Sequence, residues 1–262
     1  MTYFDEREKQ AYILMQRGEW RDALAIYDAV VADHLATYGE QVVAAYRQGD
    51  WQSAETYLRE SVDWTAPEVA DGLRYAGRLL VNIGMLHQNL RQIEDSRRAY
   101  YFALMLQLRL LGDDTPEVAA TLFNAGRLLQ AHGEGEEAWD YLAQSLEIWR
   151  RVIVDEQTAQ YVPFFASCLH LMGRLLANAG QVDEARQHYE EALDLRRSHL
   201  KPMDADIALN LSELGKLCLA QGDSAAARDY LDEALSIYLP ALDENHPIVL
   251  GLQKALAQVE SM

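Results

Sequence analysis

Basic and amide side chains recur at matched positions of this 262-residue chain, in a pattern suited to holding a peptide. Arg127, Arg174 and Lys216 each directly follow a glycine. Guanidinium and ammonium groups bind carboxylates, whereas asparagine amides both donate to and accept from a peptide backbone. We therefore expect an extended, acidic peptide or protein segment to contact ten residues: Arg78, Asn82, Asn89, Phe123, Asn124, Arg127, His170, Arg174, Asn178 and Lys216.

The same basic residues have a second interpretation, in which they only stabilise the fold. The chain carries 41 aspartates and glutamates against 23 lysines and arginines, so internal partners for a cation are abundant. Each cation would then pair with a carboxylate of an adjacent helix and contact no ligand. The sequence leaves both interpretations open.

Spacings typical of a catalytic or metal centre are missing from the sequence. The seven histidines are scattered, without an HExxH motif, and Cys168 and Cys218 belong to no CxxC pair. The glycines recur at helical spacing rather than in a loop after a strand, which argues against a phosphate-binding loop. We therefore predict that the protein is not an enzyme and uses no cofactor or metal.

The charge and hydropathy of the sequence argue against two classes of partner, nucleic acids and membranes. The formal net charge of −18 repels nucleic-acid phosphates and anionic lipids over most of the surface. The segment MTYFDEREKQ lacks the basic and apolar regions of a signal peptide, and no apolar run reaches the ~18 residues of a membrane span. We expect a cytoplasmic protein whose partners are neither nucleic acid nor membrane.

Glycine and alanine spacing reveals repeated helix pairs. Gly126, Gly173 and Gly215 are each followed seven residues later by a second glycine, and five residues beyond that by Ala138, Ala185 and Ala227. Prolines are few, at six, and no segment alternates strongly in β-branched residues, so an all-α fold is expected. The small residues allow close approach of two helices, and the second glycine allows the turn between them.

The recurring order of glycine, glycine, alanine, aromatic and alanine resembles the tetratricopeptide repeat. The 42-residue spacing from Gly173 to Gly215, with DDTPEVA and ENHPIV between units, is similar to the repeats of kinesin light chains. The resemblance implies a right-handed superhelical solenoid of antiparallel helix pairs. We expect residues 1–262 to form one such solenoid, with two shorter pairs in 1–65, four longer pairs in 66–241 and a capping helix in 242–262. Gly39 interrupts a short helical pattern within residues 35–48.

The resemblance also bears on the ligand. Family members that grip a C-terminal carboxylate use a basic residue and an asparagine four apart, then an asparagine in the next repeat, and Arg78, Asn82 and Asn124 match that order. The third repeat departs, because Ser167 and Leu171 stand where cations would be. An internal acidic segment is therefore the favoured ligand over a chain terminus.

These observations predict a noncatalytic adaptor that binds a protein or peptide in the concave groove of the repeats. Two other functions stay open: a structural module that assembles with copies of itself, and a regulatory domain that responds to a peptide. Fold alone does not decide among them.

Overall fold

The computed structural model describes residues 6–153 and 158–261, and in these ranges the chain is helical, without a strand. The α-helices are α1 (Glu6–Gln16), α2 (Trp20–Ala36), α3 (Glu40–Arg47), α4 (Trp51–Ser61), α5 (Pro67–Asn89), α6 (Ile93–Leu111), α7 (Pro116–Ala131), α8 (Gly135–Val152), α9 (Val162–Asn178), α10 (Val182–His199), α11 (Ala205–Ala220), α12 (Ser224–Tyr238) and α13 (Pro247–Glu260). A short 3-10 turn, Ala159–Tyr161, precedes α9. The predicted all-α fold built of helix pairs is confirmed for the described part of the chain.

The turn between paired helices depends on glycine. Gly180, between α9 and α10, has φ +79°, a left-handed conformation that only glycine adopts without strain. The following N–H, of Gln181, donates to the Leu176 carbonyl at 2.9 Å and so satisfies a carbonyl at the end of α9. Gly133 and Gly222 have the same conformation in their turns, with φ of +83° and +80°. The second glycine of each repeat therefore reverses the chain.

The first glycine of each repeat lets the paired helices touch. A Cβ atom on Gly173 would lie 2.8 Å from Cε1 of Tyr189 and 3.2 Å from the Ala185 carbonyl oxygen, both on α10. Equivalent Cβ atoms on Gly126 and Gly215 would lie 2.7 Å and 2.6 Å from Cγ of Leu142 and Leu231. Ala185 is fully buried. The repeated small residues are thus the contact points of each pair.

The described residues up to position 148 form one compact unit. Within it α1 packs on α2, α3 on α4 and α5 on α6, and α7 pairs with α8 through Gly126. The helix that packs against α2 along the stack is α5. The rings of His34 and Tyr75 meet edge-on with centroids 4.7 Å apart, and the Tyr38 hydroxyl donates to the Val69 carbonyl at 3.4 Å.

The short pair α3–α4 lies beside this stack and does not separate α2 from α5. From α3, the Tyr46 hydroxyl donates to Asp28 of α2 at 2.7 Å. From α4, the Trp51 ring meets Phe102 of α6 edge-on, with centroids 5.4 Å apart. The break between α2 and α3 contains Gly39, at φ +130°. The side placement leaves a face of α6 next to α4.

The described residues from position 149 onward form the second compact unit. Its pairs are α9 with α10 and α11 with α12, and α10 also packs against α11. The last helix, α13, packs on α12 and more lightly on α11, and buries Val249 and Leu252. The apolar core of this unit runs through the paired helices.

Candidate functional site

A cavity of about 360 Å³ lies between α5 and α7 in the first unit. Tyr75, Arg78 and Asn82 line it from α5, and Ala120 and Thr121 line it from α7. The remaining lining residues are Arg74, Val81, Gln107, Leu111 and Glu117. We use the name α5–α7 groove for this cavity together with Gln88, Asn89, Asn124 and Arg127, which follow on the same two helices.

Arg78 lies in the groove, but an ion pair within the protein neutralises its charge. Its Nη1 and Nη2 atoms donate to the two carboxylate oxygens of Glu8, on α1, at 2.7 and 3.1 Å. The Tyr75 hydroxyl donates to the same carboxylate at 3.1 Å, and the Arg78 guanidinium lies 5.1 Å from the centroid of the Tyr75 ring. Glu8 is buried, at 4% exposure. The arginine is thus held rigidly, with little net charge left for a ligand.

Asn82 stands on the same face of α5, one turn after Arg78. It is half-buried next to the phenol of Tyr27. Burial raises the pKa of Tyr27, and the hydrogen bond from Asn82 partly opposes that rise. An amide held in this way presents its remaining donor or acceptor in a fixed direction.

Farther along the groove, Arg127 bridges the two helices. Its Nη2 donates to Oε1 of Gln88 at 3.1 Å, which joins α7 to α5. The ion pairs of the described residues do not include Arg127, so its positive charge has a hydrogen-bond partner but no carboxylate. Asn124 is half-buried and Asn89 is exposed, whereas Phe123 is buried at 8% exposure and belongs to the core. Of the cations in the groove, Arg127 is therefore the one best able to bind the carboxylate of a ligand.

In the second unit, three of the predicted residues lie at the surface. Arg174 and Asn178 are exposed on α9, and Lys216 is exposed on α11. Lys216 donates to Oε1 of Glu213 at 2.7 Å, an ion pair within one helix. Ion pairs between residues three apart on one helix are weak, about 0.2–0.5 kcal/mol, so a ligand carboxylate could compete for the lysine.

His170 lies inside the second unit, at 5% exposure, and lines no open surface. Its Nδ1 is 2.7 Å from Oδ1 of Asn210, which also accepts from Nη1 of Arg196 at 2.6 Å. The Asn210 amide donates to the Tyr189 carbonyl at 3.0 Å, and this fixes Oδ1 as the atom that accepts from the imidazole. Burial, reinforced by the nearby Arg196 charge, lowers the pKa of His170 to about 4. Helical spacing alone placed His170 beside Arg174, but the adjacent helices α10 and α11 cover it.

Sequence reasoning missed several groove residues, among them Tyr75 and Gln88, and it also missed Glu8, which pairs with Arg78. Tyr75 precedes Arg78 by three residues and could have been found by extending the helical spacing toward the start of α5. Gln88 could have been found one position before Asn89. Glu8 left no such signal, because its contact with Arg78 joins positions 70 residues apart.

The groove offers hydrogen-bond donors, acceptors and one cation without a carboxylate partner. Among the residues the structure describes, no group of three or more histidine, cysteine, aspartate or glutamate side chains is arranged to hold a metal ion. The helices in those ranges also include none with the length and apolar character needed to cross a bilayer.

Solved structures of similar fold cover most of the chain. A kinesin light chain-type protein of nearly identical TPR-like repeats from Podosopora anserina is 17% identical, with a TM-score of 0.58, over 90% of this chain and 95% of that one. BtubC (BKLC) from P. vanneervenii is 21% identical, with a TM-score of 0.57, over 93% of this chain and 94% of that one. The apo form of RapI is 15% identical, with a TM-score of 0.60, over 98% of this chain and 70% of that one. These likenesses show the fold.

Family comparisons agree with the repeat. A curated relative, tetratricopeptide repeat protein 7B of Homo sapiens, is 36% identical over 66 residues, which are 25% of this chain and 8% of that protein. Residues 8–67, 75–151 and 165–239 match tetratricopeptide repeats. Repeats of this kind suggest a role in protein–protein interaction and are typically noncatalytic. Since the matched segments span more than half of its residues, the chain belongs to the tetratricopeptide repeat family.

Proposed function

We propose that the protein is a noncatalytic adaptor that binds an extended segment of another protein along the α5–α7 groove. The observation that carries the proposal is the combination of an open cavity of about 360 Å³ with amides and an arginine on the same two helices. A protein or peptide ligand fits the family, whose repeats serve protein interactions. The ligand backbone would lie between α5 and α7.

The amides provide recognition of the backbone. Asn82 lines the cavity from α5, and Asn124 lies on α7, four residues after the lining residue Ala120; in the proposed complex each amide donates to a carbonyl and accepts from an N–H. An extended segment offers both groups along its length, whatever its side chains. Because both amides are half-buried, their hydrogen bonds would be less exposed to competition from water than those of Asn89.

Arg127 provides the preference for an acidic side chain. Its guanidinium makes one hydrogen bond to Gln88 and keeps further donors for a carboxylate. Arg78 contributes shape rather than charge, because Glu8 neutralises it. Lys216, exposed on the second unit, is proposed as a separate contact for an acidic side chain. The proposed ligand is therefore a segment with a few acidic residues.

Site-specific photo-cross-linking tests this function. Benzoylphenylalanine would replace Ala120, inside the groove, or Gln144, an exposed residue of α8 outside it. We expect a partner from the native extract to be cross-linked from position 120 and not from position 144, with the attachment point in an extended acidic segment. Cross-linking from position 144 alone, or equally from both positions, would contradict groove binding.

A further inference from the structure

A second groove, between α4 and α6, is larger than the first and has a different chemistry. It has a volume of about 570 Å³. Tyr101, Leu104 and Leu108 line it from α6, and the other lining residues include Arg59, Trp64 and Arg109. Tyr101 is 53% exposed and Leu108 is 42% exposed, so two large apolar side chains of α6 line this groove at the surface. We call this the α4–α6 groove.

At three apolar positions of α6, those of Tyr101, Met105 and Leu108, most other repeats carry polar side chains, whereas the position of Leu104 is leucine in every one of them. When the repeats are aligned on the buried small residue of the second helix, Tyr101 corresponds to Ala143, Glu190 and Asp232. The position of Met105 holds Glu147, Asp194 and Ser236, and the position of Leu108 holds Arg150, Arg197 and Leu239. The apolar stripe formed by Tyr101, Met105 and Leu108 is therefore not a requirement of the repeat, unlike the leucine at position 104.

The arginines that replace Leu108 in later repeats have an internal role. Arg150 pairs with Glu191 at 3.0 Å, and Arg197 pairs with Glu233 at 2.7 Å, in each case linking one helix to another. Leu108, at the same position, cannot form this ion pair, and its apolar side chain is exposed to water. Packing against α4 accounts for part of the stripe, because Met105 joins the core of the first unit. It does not account for Tyr101 and Leu108, which stay exposed beside the groove.

Charge around the groove points to an acidic occupant. Glu55 is buried, at 8% exposure, and its carboxylate is paired with Arg59, so this pair adds no net charge. The Arg109 guanidinium lies over Trp64, 5.7 Å from the centroid of that ring, and takes part in none of the ion pairs of the described residues. An apolar floor with one uncompensated cation at its edge complements a helix that bears both leucines and carboxylates.

We propose that the α4–α6 groove binds an amphipathic, acidic helix of a partner protein, independently of the α5–α7 groove. Tyr101, Leu104 and Leu108 have the i, i+3, i+7 spacing of one helical face and span about 10 Å. Such a floor receives two turns of a second helix with apolar side chains at the same spacing. The bound helix places a carboxylate against Arg109, and its apolar residues cover Tyr101 and Leu108.

A peptide selection identifies the occupant. Helix-forming peptides of about 16 residues, displayed as a random library, are selected on the full chain and depleted on the Tyr101→Glu/Leu108→Arg double variant. The substituted side chains already stand at these positions in α10, so the variant should keep the fold. Ala143→Glu is the matched control at the equivalent position of α8. We expect groove-dependent peptides that share apolar spacing of i, i+3 or i+4, and i+7, together with acidic residues.

Fluorescence anisotropy on one selected, fluorescein-labelled peptide measures the effect. The double variant should weaken binding by about tenfold or more, whereas Ala143→Glu and Asn124→Ala should leave the affinity unchanged. Arg109→Glu, an exposed change that does not disturb the apolar floor, should weaken binding and flatten its salt dependence. A selection without groove-dependent sequences, or with basic ones, would overturn the proposal. So would a dimer of the wild-type chain, seen by sedimentation, that the double variant abolishes, because the occupant would then be a second copy.

Discussion

Mild acid should destabilise the protein through one buried histidine. The His170 imidazole is packed under α10 and α11 with Nδ1 hydrogen-bonded to Asn210. Burial and the Arg196 charge lower its pKa from 6.5 to about 4, with a smaller contribution from Arg174, while the Asn210 hydrogen bond and Glu213 act in the opposite direction. A proton on Nε2 would place a second positive charge close to Arg196 in a site closed to water.

The sign and size of the effect follow from the two pKa values. The folded value, about 4, is below the unfolded value of 6.5, so the unfolded chain binds the proton first as the pH falls. The contribution of neutral His170 is complete above pH 6.5 and decreases as the pH falls toward 4. For these pKa values it amounts to about 2 kcal/mol lost by pH 5, and about 3 kcal/mol in the limit of lower pH.

Urea unfolding at pH 7 and pH 5, followed by circular dichroism, measures this loss. His170→Asn keeps a nitrogen donor near the position of Nδ1 and cannot be protonated, so it should lose about 2 kcal/mol less than the wild type between the two pH values. His199→Asn is the matched control, a change at an exposed histidine of the same helix, α10. Equal losses in the wild type and His170→Asn would refute the reasoning.

Three further substitutions test the helix packing and the groove. Gly173→Ala should lower the free energy of unfolding by about 1–2 kcal/mol, because the added Cβ would meet the Tyr189 ring. Gly251→Ala in α13, where a Cβ would have nothing within 4 Å, should raise it by up to about 1 kcal/mol. Thermal melts that rank the two variants in the opposite order would show that the helix contact is misplaced. Glu8→Gln should lower the free energy of unfolding by about 1–2 kcal/mol, because it removes the carboxylate to which Arg78 and Tyr75 both donate. An unchanged denaturation midpoint would mean that the contact of Glu8 with Arg78 does not hold α1 on α5.

The repeat positions could be predicted from sequence because each depends on local geometry. Gly173 must leave space for the helix beside it, and Gly180 must adopt a positive φ, so both requirements appear as residue types at fixed spacing. The packing of α2 against α5 could not be predicted in this way. It follows from contacts such as His34 with Tyr75, between positions 41 residues apart, which leave no periodic pattern.

The candidate site was predictable only in part, for a related reason. Helical spacing identifies which residues share a face, and it placed Arg78 and Asn82 on one wall of the groove. It does not tell which neighbour covers or neutralises a side chain. Glu8, on α1, neutralises the charge of Arg78. The helices α10 and α11 bury His170. Both effects depend on tertiary contacts between distant parts of the sequence.

The affinity of an Asn124→Ala/Arg127→Ala variant tests the proposed groove function most directly. The ligand is the acidic segment cross-linked from position 120, made as a labelled peptide, and Arg98→Ala on α6 removes an equal charge outside the groove. We predict that the double variant binds at least about tenfold more weakly and depends less on salt, with a melting temperature close to that of the wild type, while Arg98→Ala binds normally. Undiminished binding by a folded double variant would contradict recognition in the α5–α7 groove.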